Sequence, residues 1–271
     1  MQTYLESHRR ADVVSEAFAR RGARAETLAA RSSVAGAPLA FASGLFRAQG
    51  ALATAIEHIH ASQTLSGRPE DDLADVAKEL AALLRFTVDA GPPPLADAAK
   101  AYLLDPQART SGFWRGGGSG RNDYLGRALF RPYAEVLAAV GVRPEPARSP
   151  SAGCPFCGGP PWIAWRASAA AAEGAQRFLG CALCGSAWSP GRILCVACGE
   201  QRPEQLPGFG SDRYPGARVE TCATCRVYVK SIDCTMDGHA IPEVDDLLSL
   251  ALDLWAGEQG YERLEPGLAG L

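Results

Sequence analysis

Eight of the nine cysteines form four Cys-x-x-Cys pairs, and the pattern occurs twice: Cys154, Cys157, Cys181 and Cys184 recur, each shifted by 41 residues, as Cys195, Cys198, Cys222 and Cys225. The gap between pairs, from Cys157 to Cys181 and from Cys198 to Cys222, holds 23 residues in both copies. Such a pair sets two thiolates along one edge of a tetrahedron, and a second pair about twenty residues later closes a four-sulfur site. Two copies of one metal-binding unit are the simplest reading, each holding one iron or zinc ion on four cysteines. The ligands do not separate the two metals, because four thiolates suit both.

The repeat extends beyond sulfur. Gly158 and Gly199 follow the first pair of each unit and Gly185 follows the closing pair of the first, where the chain turns back with a positive φ. Arg226 stands at the fourth such position. Arg177 and Arg218 each lie four residues before the third cysteine of their unit. There they either offset the charge of four thiolates or are ordinary solvated arginines.

With 47% hydrophobic and 21% charged residues, the chain reads as an ordinary globular protein. No run of 18 apolar residues occurs and Met1 to Arg10 lacks an apolar core, so no membrane segment is expected and the cytoplasm is the default compartment. There cysteines stay reduced, which favours metal coordination over a disulfide scaffold. Net charge is −3, and residues 151–234 carry eight basic against six acidic side chains, so no nucleic-acid partner is expected.

Residues 1–140 read as an all-helical domain, with apolar residues at helical spacing near 10–31, 37–64, 69–90, 94–104 and 120–140. Pro92, Pro93 and Pro94 break two of these helices apart, and RGGGSG, 115–120, is a connection that lacks the lysine and spacing of a phosphate loop. Residues 141–153, with three prolines, form a linker. Two small metal modules follow, 154–190 and 191–234, with short strands expected at 161–165, 177–179 and 218–220. A closing helix, 243–260, is expected to pack back through Val244, Leu247, Leu248, Ala251, Leu254 and Trp255. Glu243, Asp245 and Asp246 would then sit at the positive end of its dipole. The fold class is therefore α+β and multidomain.

Other chemistry is thin. His58 and His60 point to different sides of a helix, Cys234 and His239 flank a turn, and Asp245 beside Asp246 diverge as helical neighbours. No nucleophile, base or carboxylate pair stands out, which argues against an enzyme. A dithiol catalyst would carry one such pair, not four on a fixed period. A rubredoxin-like electron carrier with a helical docking domain and a ribbon-type nucleic-acid binder remain as alternatives to a partner-recognition module.

CPFCGG (154–159), RFLGCALCGSAW (177–188), RILCVACG (192–199), RVETCATCRVYVK (218–230) and DDLLSLALDLWAGEQGYER (245–263) together resemble the FdhE family of formate dehydrogenase accessory proteins. Weaker echoes lie at APLAFASGLFRAQ (37–49) and YLGRALFRPYAEVLAA (124–139). The resemblance implies a helical domain followed by two rubredoxin-like modules, each with one iron or zinc ion. It implies a cytoplasmic role in maturation, with the catalytic subunit of formate dehydrogenase as the partner. The glycine insert at 116–120 and the tail ending at Leu271 depart from the family pattern.

Overall fold

The computed structural model describes residues 14–116, 123–147, 153–168, 174–190 and 193–270. Met1 to Arg10, most of the RGGGSG segment, and residues 148–152 of the expected linker lie outside the described residues.

The first half is helical: α1 (Val14–Ala29), α2 (Gly36–Ser62), a short α3 (Pro69–Asp72), α4 (Ala77–Ala90), α5 (Pro93–Tyr102), α6 (Pro106–Arg115) and α7 (Tyr124–Val140). The proline triplet acts as expected, with α4 ending at Ala90 and α5 starting on Pro93, a residue whose fixed φ suits the first helical position. Sequence periodicity missed α6, whose PQARTSGFWR is polar; Asp105 caps it by accepting a bond from the Ala108 amide at 3.0 Å. By length and composition α2 is apolar enough to cross a membrane, yet half of that window is buried. Leu39, Ala42, Leu45, Phe46, Leu52, Ala53 and Ile56 form its core-facing stripe.

At the centre lies α7, every residue of which from Leu125 to Leu137 is buried. Asp123 caps its start and Gly141, at φ 78°, ends it in the left-handed conformation that glycine tolerates. Pro132 sits inside it without an N–H to offer the carbonyl of Ala128. The buried amide of Gln49 on α2 fills that acceptor instead, at 2.8 Å.

The second half is one seven-stranded sheet: β1 (Pro161–Ser168), β2 (Ala175–Cys181), β3 (Ala187–Trp188), β4 (Gly208–Gly210), β5 (Ala217–Thr221), β6 (Val227–Asp233) and β7 (Glu262–Arg263). The order is β3-β2-β1-β6-β5-β4, with β7 beside the start of β6. Each cysteine unit thus contributes three strands in the same order. They join where β1 runs parallel to β6, with Ile163 opposite Lys230 and Trp165 opposite Ile232. The strands expected at 161–165, 177–179 and 218–220 fall inside β1, β2 and β5, and the two modules share a continuous sheet.

The closing segment differs from the expected single helix. It is α8 (Pro242–Asp245), a 3-10 turn (Asp246–Ser249) and α9 (Leu250–Glu258). The tighter turn shifts the helical phase, so the buried side of α9 is Leu252, Asp253 and Ala256, while Ala251 and Leu254 face solvent. Val244 and Leu247 do enter the main core, as expected.

Candidate metal centres

Both cysteine units fold into the same pair of loops. In the first, the Cys154 amide donates to the Gly159 carbonyl and Gly158 to the Cys154 carbonyl, both at 2.8 Å. In the second, Cys195 donates to Glu200 at 2.8 Å and Gly199 to Cys195 at 2.9 Å. The closing loops correspond likewise, through Cys181 to Ser186 at 3.0 Å and Cys222 to Val227 at 2.9 Å. Gly158, Gly185 and Gly199 take φ of 72°, 65° and 78°. Arg226, at the fourth position, takes φ 60° despite its side chain. Its guanidinium lies 3.9 Å from the Tyr261 ring centroid and donates to the Gln259 and Gly260 carbonyls, contacts that offset the strain.

These loops gather Cys154, Cys157, Cys181 and Cys184 into one cluster and Cys195, Cys198, Cys222 and Cys225 into another, each with its four sulfurs within 4.8 Å of one another. A tetrahedral ion with metal–sulfur bonds of about 2.3 Å requires sulfur–sulfur edges of about 3.8 Å. The edges are 3.6 Å (Cys154–Cys184) and 3.5 Å (Cys157–Cys181) in the first cluster, and 3.7 Å for both Cys195–Cys225 and Cys198–Cys222. All are far beyond a disulfide bond, and the donor set fits zinc or iron. Cys234 and His239 join neither cluster, and burial pushes the Cys234 thiol up to about 12.

Electrostatics show why such clusters call for a cation. Burial raises Cys181 and Cys184 well above the ordinary thiol range, whereas hydrogen bonds from Cys157, Cys181 and Cys184 hold Cys154 far below it. In the second cluster burial pushes Cys225 up to about 12, and hydrogen bonds from Cys225 and Thr224 outweigh burial to bring Cys222 down to about 7. Four thiolates together are stable only around a positive ion.

Arg177 and Arg218 separate here. Arg177 is mostly covered and pairs with Glu220 at 2.7 Å, bridging the two modules, while Arg218 is exposed.

Sequence reasoning missed the ion pairs that hold the sheet on the helices. Arg127, Arg131 and Glu135 recur at four-residue spacing along α7, and that spacing was the available signal. Arg127 and Arg131 lie over the Trp162 ring of β1, at 5.4 and 5.5 Å. Glu135 accepts from Arg131 at 2.7 Å and Arg21 at 2.9 Å, and both arginines also bind Glu243. Arg24 binds Asp245 at 3.1 Å. A second buried set joins Lys230 and Arg263 to Asp246 and Asp253. Glu243, Asp245 and Asp246 stand in the first turns of α8 and the 3-10 turn, as expected, and are in addition buried pairing groups, which the sequence did not disclose.

Fold and clusters define the class: a helical domain bearing tandem four-cysteine modules in one sheet. Residues 193–268 match the family model described as FdhE, C-terminal domain. The chain is 38% identical over 117 residues to "Protein FdhE homolog" of Aquifex aeolicus, covering 43% of this chain and 41% of that protein. It is also 38% identical over 119 residues to the namesake from Pseudomonas aeruginosa, covering 42% and 38%. Each match spans less than half of the curated relative's length. The crystal structure of the FdhE protein from Pseudomonas aeruginosa shares the fold, with a TM-score of 0.60 and 23% identity over 93% of this chain and 94% of that one. Over the matched residues the chain is similar to FdhE proteins, and it shares their fold.

Proposed function

We propose that this chain is a cytoplasmic accessory protein for the maturation of formate dehydrogenase, and that it binds the catalytic subunit of that enzyme without catalysing a reaction itself. The observation that carries the reading is the pair of four-cysteine clusters built into one sheet, the second of them within residues 193–268, which match the FdhE C-terminal domain. Cys154, Cys157, Cys181 and Cys184 would hold one ion, and Cys195, Cys198, Cys222 and Cys225 a second, each iron or zinc. A bound ion would cross-link the two loops of each cluster and so couple folding of the module to metal binding. The working units are the helical part (1–140), its linker (141–153), the modules (154–190 and 191–234) and the closing helix (243–260).

Rims fixed by metal lose little freedom on docking, which makes them economical contact surfaces. Arg218 and Phe209, both exposed on the second module, are the side chains offered there. A deletion strain tests the function: formate oxidation is lost while the enzyme's polypeptide is still made. Undiminished oxidation contradicts the reading.

A further inference from the structure

The two clusters are alike in ligand set and loop geometry, yet they lie in different surroundings. Cys154, Cys157, Cys181 and Cys184 are 0%, 3%, 0% and 1% exposed and belong to the main apolar core together with Leu137, Leu183 and Val244. The loop closing that cluster is wedged under α7: a Cβ placed on Gly185 would lie 2.9 Å from the Glu135 carboxyl carbon. Arg143 covers the opening loop, donating to the Phe156 carbonyl at 2.6 Å.

The second cluster lacks that cover on one side. Cys198 is exposed and Cys225 half-buried, while Cys195 and Cys222 are buried. Space is open around Gly199, the counterpart of Gly158. A cleft of about 250 Å³ runs beside this cluster, lined by Cys195 and Cys222 together with Val196, Leu206 and Arg218, and by no cysteine of the first.

We propose that the two ions differ in exchange: the one on Cys195, Cys198, Cys222 and Cys225 is the exchangeable ion, released by attack on the Cys198 side, and the one on Cys154, Cys157, Cys181 and Cys184 is a fixed part of the core. This rests on the reading that both clusters hold metal. Exchange at a tetrathiolate proceeds as an incoming donor forms a bond to the metal while one metal–sulfur bond breaks, the departing thiolate taking a proton from water. The donor must reach the ion. At Cys198 it can do so from solvent, whereas at the first cluster the core must open first, at a free-energy cost close to that of unfolding the region. The ligands suited to this site are soft donors, thiolate above all, so a partner cysteine or a low-molecular-weight thiol can bind there.

The test uses the full chain loaded with zinc and mixed with 4-(2-pyridylazo)resorcinol, with iodoacetamide pulses read by mass spectrometry. Release is expected in two phases of one equivalent each, the first at least about ten-fold faster. Label should appear at Cys198 and Cys225 during the fast phase, and at the other cluster only during the slow one. Cys198→Ser should remove the fast phase and leave the slow one, and the wild-type labelling order stands independently of that variant. A single phase, or earlier labelling of Cys154, Cys157, Cys181 and Cys184, overturns the inference while leaving two ions in place. A starting content below two zinc ions per chain contradicts the metal reading itself, and this inference with it.

Discussion

Gln49 of α2 donates its side-chain amide to the backbone carbonyl of Ala128, the acceptor that Pro132 leaves unfilled four residues later on α7. A buried carbonyl without a donor costs about 1–3 kcal/mol. Gln49→Leu should therefore destabilise the protein by about that amount in denaturant titration. Adding Pro132→Ala restores a backbone donor and should recover most of the loss. Equal losses with and without Pro132 would contradict this account.

Lys230 and Asp253 meet at 2.6 Å with both side chains sealed from water, tying the sheet to α9. Removing Lys230 leaves the two buried carboxylates, Asp246 and Asp253, facing Arg263 alone, one negative charge in excess, so Lys230→Met is expected to cost about 3–5 kcal/mol. The double replacement Lys230→Met with Asp253→Leu should cost less than the two single losses summed. Strict additivity in that cycle would mean that the pair is not coupled.

The Glu243 carboxyl is buried, which alone would raise its pKa, but Arg131 and Arg21 hold it below the usual carboxylate range. A group depressed in the fold stabilises above its unfolded pKa of about 4.3, and that stability is lost as pH falls through the folded value. Amide protection across Pro242–Ser249 should accordingly fall with acidification below about pH 4. Glu243→Gln should lower protection near neutrality and flatten that dependence. An equal slope in both proteins would be the contrary result.

Gly185 and Gly199 share the left-handed conformation but not the same space. Alanine at either position incurs about 1–2 kcal/mol of backbone cost. At 185 its methyl also meets Glu135, whereas at 199 nothing lies within 4 Å. Gly185→Ala should therefore be the more destabilising in thermal unfolding and should speed metal loss from the first cluster. Equal effects would show that the contact with α7 is slack.

Which of these features the sequence disclosed follows from range. The cysteine clusters were legible because a Cys-x-x-Cys loop is local and its 41-residue repeat reveals the partner loop. The helix boundaries at the proline triplet were legible for the same reason. The Arg21–Glu135 and Arg21–Glu243 pairs span 114 and 222 residues, and no local pattern links them. The stripe on the closing helix was misplaced because one 3-10 turn, Asp246–Ser249, rotates everything after it. The joining of both modules through β1 and β6 lay equally out of reach, since pairing across the repeat leaves no mark on either copy.

Replacing Cys154 and Cys157 together with serine should remove one ion and loosen the first module, while the second keeps its own. Elemental analysis beside thiol counting reads this directly. Retention of both ions would show that sulfurs are shared between the units.

The most direct measurement is metal stoichiometry combined with X-ray absorption on protein purified without oxygen. Two ions per chain are expected, each surrounded by four sulfurs at about 2.3 Å. Fewer than two ions, oxygen or nitrogen in the shell, or cysteines joined as disulfides would contradict the account.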